Sequence, residues 1–431
     1  MPELAILAVV VFAYTVVAAR LDRFSISAPI VLVTAGALLG PAGIHAVEAP
    51  ATSVPVQVLA ELTLAILLFT DASTIGLREA GRIAWLPDRL LGLGLPLTIV
   101  AGAIVGWLFF PALGLGFALL LASILAPTDA ALSLPLLLDR SIPVRVRRAI
   151  NIESGLNDGI ATPFVTLFLA VTIAEETAGD QPWFIEAGLE IAIALAVAVV
   201  VGGLGGWLVA MARRRGWASL DSESLGLLMM ALLAYAGATA LDGNGFVAAF
   251  AAGVAFRTVT AGSEPSVEFA ESVGVAASYV VWLIFGVALA GPVLAAGVDP
   301  VVLLYAILSL TVVRMGPVAL ALLGTGLRRD TVTLIGWFGP RGMASVVFLL
   351  IAFDQMGPAH AASETLFQVV TLTILLSVLA HGLSAGPVGS WYARRIATAG
   401  PDAWESGAAH EPRVRRRPIH ARTAGEVSPP T

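Results

Sequence analysis

From Arg147 to Pro163 the sequence reads Arg-Arg-Ala-Ile-Asn-Ile-Glu-Ser-Gly-Leu-Asn-Asp-Gly-Ile-Ala-Thr-Pro and runs on into the apolar stretch 164–173. This is a membrane-spanning helix with Glu153, Asn157 and Asp158 in its first half, near mid-bilayer. Ser154 and Asp158 are four residues apart and share one face. Glu153 and Asn157, also four apart, share a second face about 100° round. One helix therefore offers a carboxylate with a hydroxyl one turn away, beside a carboxylate with a neutral amide. Such groups are costly in hydrocarbon, and their default reading is an ion or substrate pathway. The plainer alternative is polar packing between helices.

A second stretch, Ser123-Ile-Leu-Ala-Pro-Thr-Asp-Ala-Ala131, breaks its own helix. Pro127 lacks an N–H and clashes with the preceding turn. The carbonyls this frees are tolerated at membrane depth only where they are buried in protein or line a watery cavity. With Thr128 and Asp129 at the break, the oxygens are of the kind that bind a small hard cation; a simple proline kink is the alternative. A third stretch, Trp337-Phe-Gly-Pro-Arg-Gly-Met-Ala-Ser345, repeats the interruption with Arg341 inside the membrane, and Arg314 precedes Gly316-Pro317 in the span before it. A buried Arg keeps its proton and needs a carboxylate or a cluster of carbonyls. Glu153 is the natural carboxylate. Asp71, in the inner half of the third span, reads as a carboxylate facing the cytoplasmic approach, or as an interfacial residue that snorkels.

The elements that position these residues follow from composition. The chain is 431 residues long, 58% hydrophobic and 13% charged, against about 25% charged for a soluble domain. It is an all-α integral membrane protein. With no cysteine, disulfides and thiol chemistry are excluded, and the five scattered histidines show no ligand spacing. Apolar spans of about 20 residues fall at 2–19, 27–46, 56–76, 90–110, 113–137, 149–173, 184–210, 223–241, 245–261, 273–292, 300–324, 331–353 and 365–388.

That is about thirteen transmembrane helices. All 24 basic residues are Arg, and outside the spans they gather on alternate loops, with acids on the others. By the positive-inside rule the Arg side is cytoplasmic, with the N-terminus outside and the C-terminus inside. Glu3 in place of a basic n-region, with Arg20 and Arg23 behind it, makes the first span a retained helix rather than a signal peptide.

The breaks at Pro127 and Pro340 lie seven spans apart, so their helices cross the membrane in opposite directions. This is the pattern of an inverted repeat with two crossed broken helices. Gly202 and Gly206 form a GxxxG pair best read as helix packing, with a dimer contact as the lesser option. Residues 1–390 form the transmembrane domain, with core-type helices at 90–173 and 300–388 and the remainder scaffold or dimerisation. The polar segment 391–431 is a cytoplasmic tail expected to be disordered. There is no nucleotide-binding motif, no nucleic-acid feature, no enzyme motif and no cofactor requirement.

Thr128-Asp129 in one broken helix, Glu153-Ser-Gly-Leu-Asn-Asp-Gly159 in the next, and Gly339-Pro-Arg-Gly342 in the second break together resemble CPA1-type monovalent cation:proton antiporters, the NhaP/NHE-like sodium/proton exchangers. The resemblance implies an NhaA/NhaP-like fold and a homodimer in the plasma membrane, in which a core bundle moves against a dimerisation domain. By the same resemblance Asp158 is the ion- and proton-carrying residue, helped by Ser154, Asp129 and the backbone of Thr128 as ligands of a monovalent cation. Glu153 and Arg341 form a structural ion pair beside Asn157, and Asp71 stands where similar prokaryotic members often carry Glu. The mechanism expected from the residues themselves agrees. A buried carboxylate neutralised by either a cation or a proton, but not both, exchanges one for the other electroneutrally. The rival reading is a sodium-coupled symporter of an organic anion.

Overall fold

The computed structural model describes residues 2–22, 26–74, 85–177, 183–260, 267–398 and 404–407. Most of these residues are helical, and there is no strand among them. The first three crossings are α1 (Pro2–Asp22), α2 (Ala28–Leu39) and α3 (Val54–Thr74). The fourth joins α4 (Trp85–Arg89) to α5 (Leu95–Phe109) through a wide π turn at Leu90–Gly94. The fifth is broken: α6 (Gly114–Ile124) ends, residues 125–133 are non-helical, and α7 (Leu134–Leu138) resumes. The sixth is the long α8 (Val144–Thr177).

The seventh joins α9 (Trp183–Ala198) to α10 (Gly205–Arg214) through a second π turn, and α11 (Leu220–Thr239) and α12 (Gly245–Val259) are the eighth and ninth. The tenth runs from α13 (Glu268–Phe285) through a third π turn into α14 (Gly291–Ala296). The eleventh is α15 (Pro300–Leu310) and α16 (Val312–Ala321), interrupted at Thr311, whose φ of −110° and ψ of −89° are not helical. The twelfth is broken at 338–342 between α17 (Arg329–Trp337) and α18 (Met343–Met356), and α19 (Ser363–Ile396) is the last.

Nine segments are long and apolar enough to cross a membrane, and four shorter apolar helices complete the thirteen crossings among the described residues. The two breaks fall where Pro127 and Pro340 place them. In the lipid-facing helices the apolar side chains point outward, as Leu93, Val100, Ile104 and Leu108 do. The interior is filled by Leu, Val, Ile and Phe together with the buried polar side chains, held by close packing and hydrogen bonds, since lipid offers little hydrophobic drive between helices.

Close helix contacts rest on glycine. A Cβ at Gly36 would overlap the Leu283 carbonyl, and one at Gly286 would overlap that of Val33, so α2 and the tenth crossing touch backbone to backbone. Gly202 meets the Ala252 backbone and Gly206 lies against Phe256. That pair therefore packs α12 within the chain, the default reading of its motif.

The tail corrects one expectation. Trp404–Ser406 form a helical turn with Glu405 only 1% exposed, so this part of 391–431 is docked on the protein. The tail beyond 407, together with Arg23, Arg78, Arg82, Asp180 and Glu264, lies outside the described residues.

Candidate functional site

The two broken helices meet at their breaks and bond each other there. The Asp129 N–H donates to the Pro340 carbonyl at 2.8 Å. In return Arg341 Nη1 donates to the carbonyls of Ala126 (3.0 Å) and Pro127 (3.3 Å), which the first break leaves without helical donors. Ser345 Oγ donates to the Ile124 carbonyl at 2.7 Å, and the Arg341 N–H to Ser377 Oγ at 2.6 Å. Asp129 Oδ2 accepts from the Met343 N–H (3.2 Å) at the start of α18, and Oδ1 from the Ala131 N–H (2.7 Å). A carboxylate is thus set at the positive end of α18 and a guanidinium at the negative end of α6, which is where helix dipoles favour each. Gly342 makes room for Asp129, because a Cβ there would overlap its side chain.

Helix α8 brings its polar residues to the same crossing. Asn157 Nδ2 donates to Thr128 Oγ1 at 2.6 Å and reaches Glu153 Oε1 at 3.4 Å. Thr128 Oγ1 and Ser154 Oγ are hydrogen-bonded at 3.1 Å. Glu153, Asn157, Thr128 and Ser154 therefore form one continuous polar chain, with all four residues buried. Asp158 is half-buried one turn beyond Ser154 on the same face. The next residue, Gly159, lets the Phe250 ring approach where a Cβ would overlap it. Asp71 is half-buried near the end of α3.

The ion pair differs from the expected one. Arg314 Nη2 lies 3.0 Å from both oxygens of Glu153, and both side chains are 1% exposed. Arg341 instead holds the Ala126 and Pro127 carbonyls in the break just after α6, the second of the two arrangements that satisfy a buried guanidinium. The reason is geometric. The interruption at Thr311 and the missing side chain at Gly339 let the Arg314 guanidinium pass over the second break, where a Cβ at 339 would overlap it. The signal was present in the sequence as two intramembrane arginines for one buried glutamate.

Two further supports went unforeseen. His381 on α19 contacts the Trp337 carbonyl (2.9 Å) at the end of α17 through Nε2, and its Nδ1 lies 2.9 Å from the Ser377 carbonyl. Toward the acid-bearing face, Tyr235 donates to Glu61 (2.7 Å) and Gln57 to Asp354 (2.9 Å), at a small cavity lined also by Val347 and Leu350.

A broken-helix crossing with a buried Asn and an Asp one residue on matches a known pattern. The family model for the sodium/hydrogen exchanger transmembrane region fits residues 7–391. The chain belongs to the sodium/hydrogen exchanger family. Cation:proton antiport is accordingly its class of activity, and the organic-anion symporter is not favoured.

Among its relatives, the K⁺/H⁺ antiporter NhaP of Alkalimonas amylolytica is 28% identical over 416 residues, covering 93% of this chain and 69% of that protein. The K⁺/H⁺ antiporter NhaP2 of a Shewanella species is 28% identical over 197 residues, covering 46% of this chain and 33% of its own length. The solved structure of the sodium proton antiporter MjNhaP1 of Methanocaldococcus jannaschii at pH 8 superposes with a TM-score of 0.74 at 17% identity, over 92% of this chain and 99% of that one. At that identity the match speaks for the fold.

Proposed function

We propose that this family member exchanges one monovalent cation for one proton, electroneutrally, with both competing for Asp158. The observation that carries the reading is the chain of neutral oxygen and amide groups, Asn157, Thr128 and Ser154, held at the crossing one turn from Asp158. Neutral oxygens can complete the shell of a cation whose charge Asp158 balances. A proton on Asp158 achieves the same neutrality without them. Asn157 does not titrate, so one proton moves per cycle.

In this reading Asp158, Thr128 and Ser154 are the cation ligands, and Asp129 organises the crossing while remaining within the site. Asp71 guides ions on the Arg-bearing side. Residues 90–173 and 300–388 form the moving core, the other helices the scaffold of a homodimer, and the Arg-bearing face with the C-terminus is cytoplasmic. The relatives are named for both potassium and sodium, so the transported ion is found by trial.

The test is proton movement in proteoliposomes, read with a pH-sensitive dye on adding sodium, lithium or potassium, with and without an ionophore that clamps voltage. A response to one of these ions that is insensitive to the clamp is expected. A response that follows the clamp overturns electroneutrality, and exchange that persists in Asp158→Asn overturns the assignment of the carrier.

A further inference from the structure

After α19, the turn Trp404–Ser406 lies at the Arg-bearing face, where it contacts α4, α8 and the start of α17 and reaches α19 through Thr331. Glu405 Oε1 accepts from the Arg328 N–H (3.2 Å) and from the Thr331 hydroxyl (2.8 Å), and Thr331 lies 2.9 Å from the Tyr392 hydroxyl on α19. Arg328 is the N-cap position of α17, and its own side chain does not cap the helix. The missing cap is supplied from 77 residues away in sequence, by a carboxylate placed at the positive end of the helix dipole. Burying a carboxylate this completely is unfavourable without such partners.

Trp404 holds the other side. Its carbonyl accepts from Arg145 Nη1 at 2.8 Å, its ring lies 5.3 Å from the Arg145 guanidinium, and its edge meets Trp85 of α4 at 5.3 Å between centroids. Gly407 closes against the same guanidinium, where a Cβ would overlap it. Arg145 is in the first turn of α8.

The two helices fastened by this turn are the two that carry the site upward from this face. Along α8, Arg145 is eight residues before Glu153. Along α17, nine residues lead from Arg329 to the break that holds Arg341. At 1.5 Å per residue the turn sits roughly 12–14 Å below both.

We propose that Trp404–Gly407 is a strap that fixes the first turns of α8 and α17 relative to one another, and that Trp404 and Glu405 are positioning residues for exchange. The strap sets the register between the polar chain on α8 and the break at 338–342. Without it the crossing keeps its partners but holds the cation oxygens less closely in place. The effect on transport rests on the exchange reading above; the effect on α17 does not.

The test uses the full chain with Glu405→Ala, Glu405→Gln and Trp404→Ala. Hydrogen–deuterium exchange is followed at the amides of 328–332, and exchange kinetics are measured in proteoliposomes per folded transporter. The strap predicts faster deuteration at 328–332 in the order Ala, Gln, unaltered protein, because Gln keeps the acceptor and loses the charge. It also predicts a several-fold higher cation concentration for half-maximal exchange with the maximal rate little changed. A variant that loses only maximal rate, in step with lost folded protein, overturns positioning in favour of a purely structural contact. Unchanged deuteration overturns the strap itself. Should the unaltered protein exchange no cation, the antiport reading fails and deuteration alone decides the strap. If Glu405→Ala does not fold, Thr331→Val removes one of the two bonds and takes its place.

Discussion

Replacing Glu153 by Gln isolates what the buried pair contributes. Arg314 and Glu153 are 3.0 Å apart and each 1% exposed, and at an effective dielectric constant of about 20 two unit charges at that distance attract by about 5 kcal/mol. The cost of burying both ions offsets most of this in the intact pair. Removing one partner strands the other, and the expected loss of stability is about 3–5 kcal/mol. Arg314→Met strands Glu153 and should cost a similar amount. The double variant Glu153→Gln/Arg314→Met strands neither charge, so its loss should fall short of the summed single losses by about 3 kcal/mol. The same cycle with Arg341→Met should show a much smaller coupling, because Arg341 bonds the Ala126 and Pro127 carbonyls. Unfolding in mixed micelles, followed through the nine tryptophans, supplies the four free energies of each cycle. A coupling of Glu153 to Arg341 equal to or above that to Arg314 would refute the assignment of the pair.

Three further outcomes are expected. Asn157→Asp adds a titrating carboxylate beside Glu153, and if that position alone sets electroneutrality, dye responses in proteoliposomes become sensitive to a voltage clamp. Gly342→Ala places a methyl group against Asp129 at the start of α18, and this overpacking should cost about 1–3 kcal/mol, read as a lower unfolding midpoint with exchange reduced. Exchange rate against pH should be bell-shaped: protons outcompete the cation for the carrier carboxylate at acid pH, and the proton partner becomes scarce at alkaline pH. Raising the cation concentration should therefore move the acid limb to lower pH, and an acid limb indifferent to cation concentration would argue against a shared carrier.

The crossings were legible because a bilayer demands some twenty apolar residues wherever a helix spans it, and the breaks because proline cannot continue a helix. Spacing along α8 placed Ser154 with Asp158 and Glu153 with Asn157 on their faces. It carries no information on which distant helix faces them, and the resemblance points to Arg341 as the partner of Glu153 where Arg314 holds it. That choice turned on the interruption at Thr311 and on the space at Gly339, both products of packing. The π turns at Leu90–Gly94, Val199–Leu204 and Gly286–Ala290 left no hydropathy signature either, since each widens a helix without ending it. In the tail, the many arginines concealed one informative residue. Trp404 is the one aromatic residue after Tyr392, and an indole in so polar a segment has reason to find a surface.

The crossing also separates two tasks that the sequence had merged at Asp129. Each broken helix exposes a charged end: carbonyls where α6 stops and N–H groups where α18 starts. Arg341 meets the first and Asp129 the second, each supplied by the opposite broken helix. The crossing thereby balances its own dipoles whether or not an ion is bound, and in the proposed cycle the charge exchanged resides on Asp158. The two aspartates should then respond differently to the same change. Asp129→Asn keeps an oxygen that can accept one of the two N–H bonds but loses the charge that complements the α18 dipole, worth about 0.3–1 kcal/mol at an exposed helix end and up to about 2 in a partly buried one. It should lower exchange several-fold and shift stability modestly. Asp158→Asn removes the only form of the residue that alternates between cation and proton, and should abolish exchange while leaving the fold intact. If instead Asp129→Asn abolished exchange in stably folded protein and Asp158→Asn merely slowed it, the carrier would sit in the broken helix and the roles of the two carboxylates would have to be reversed.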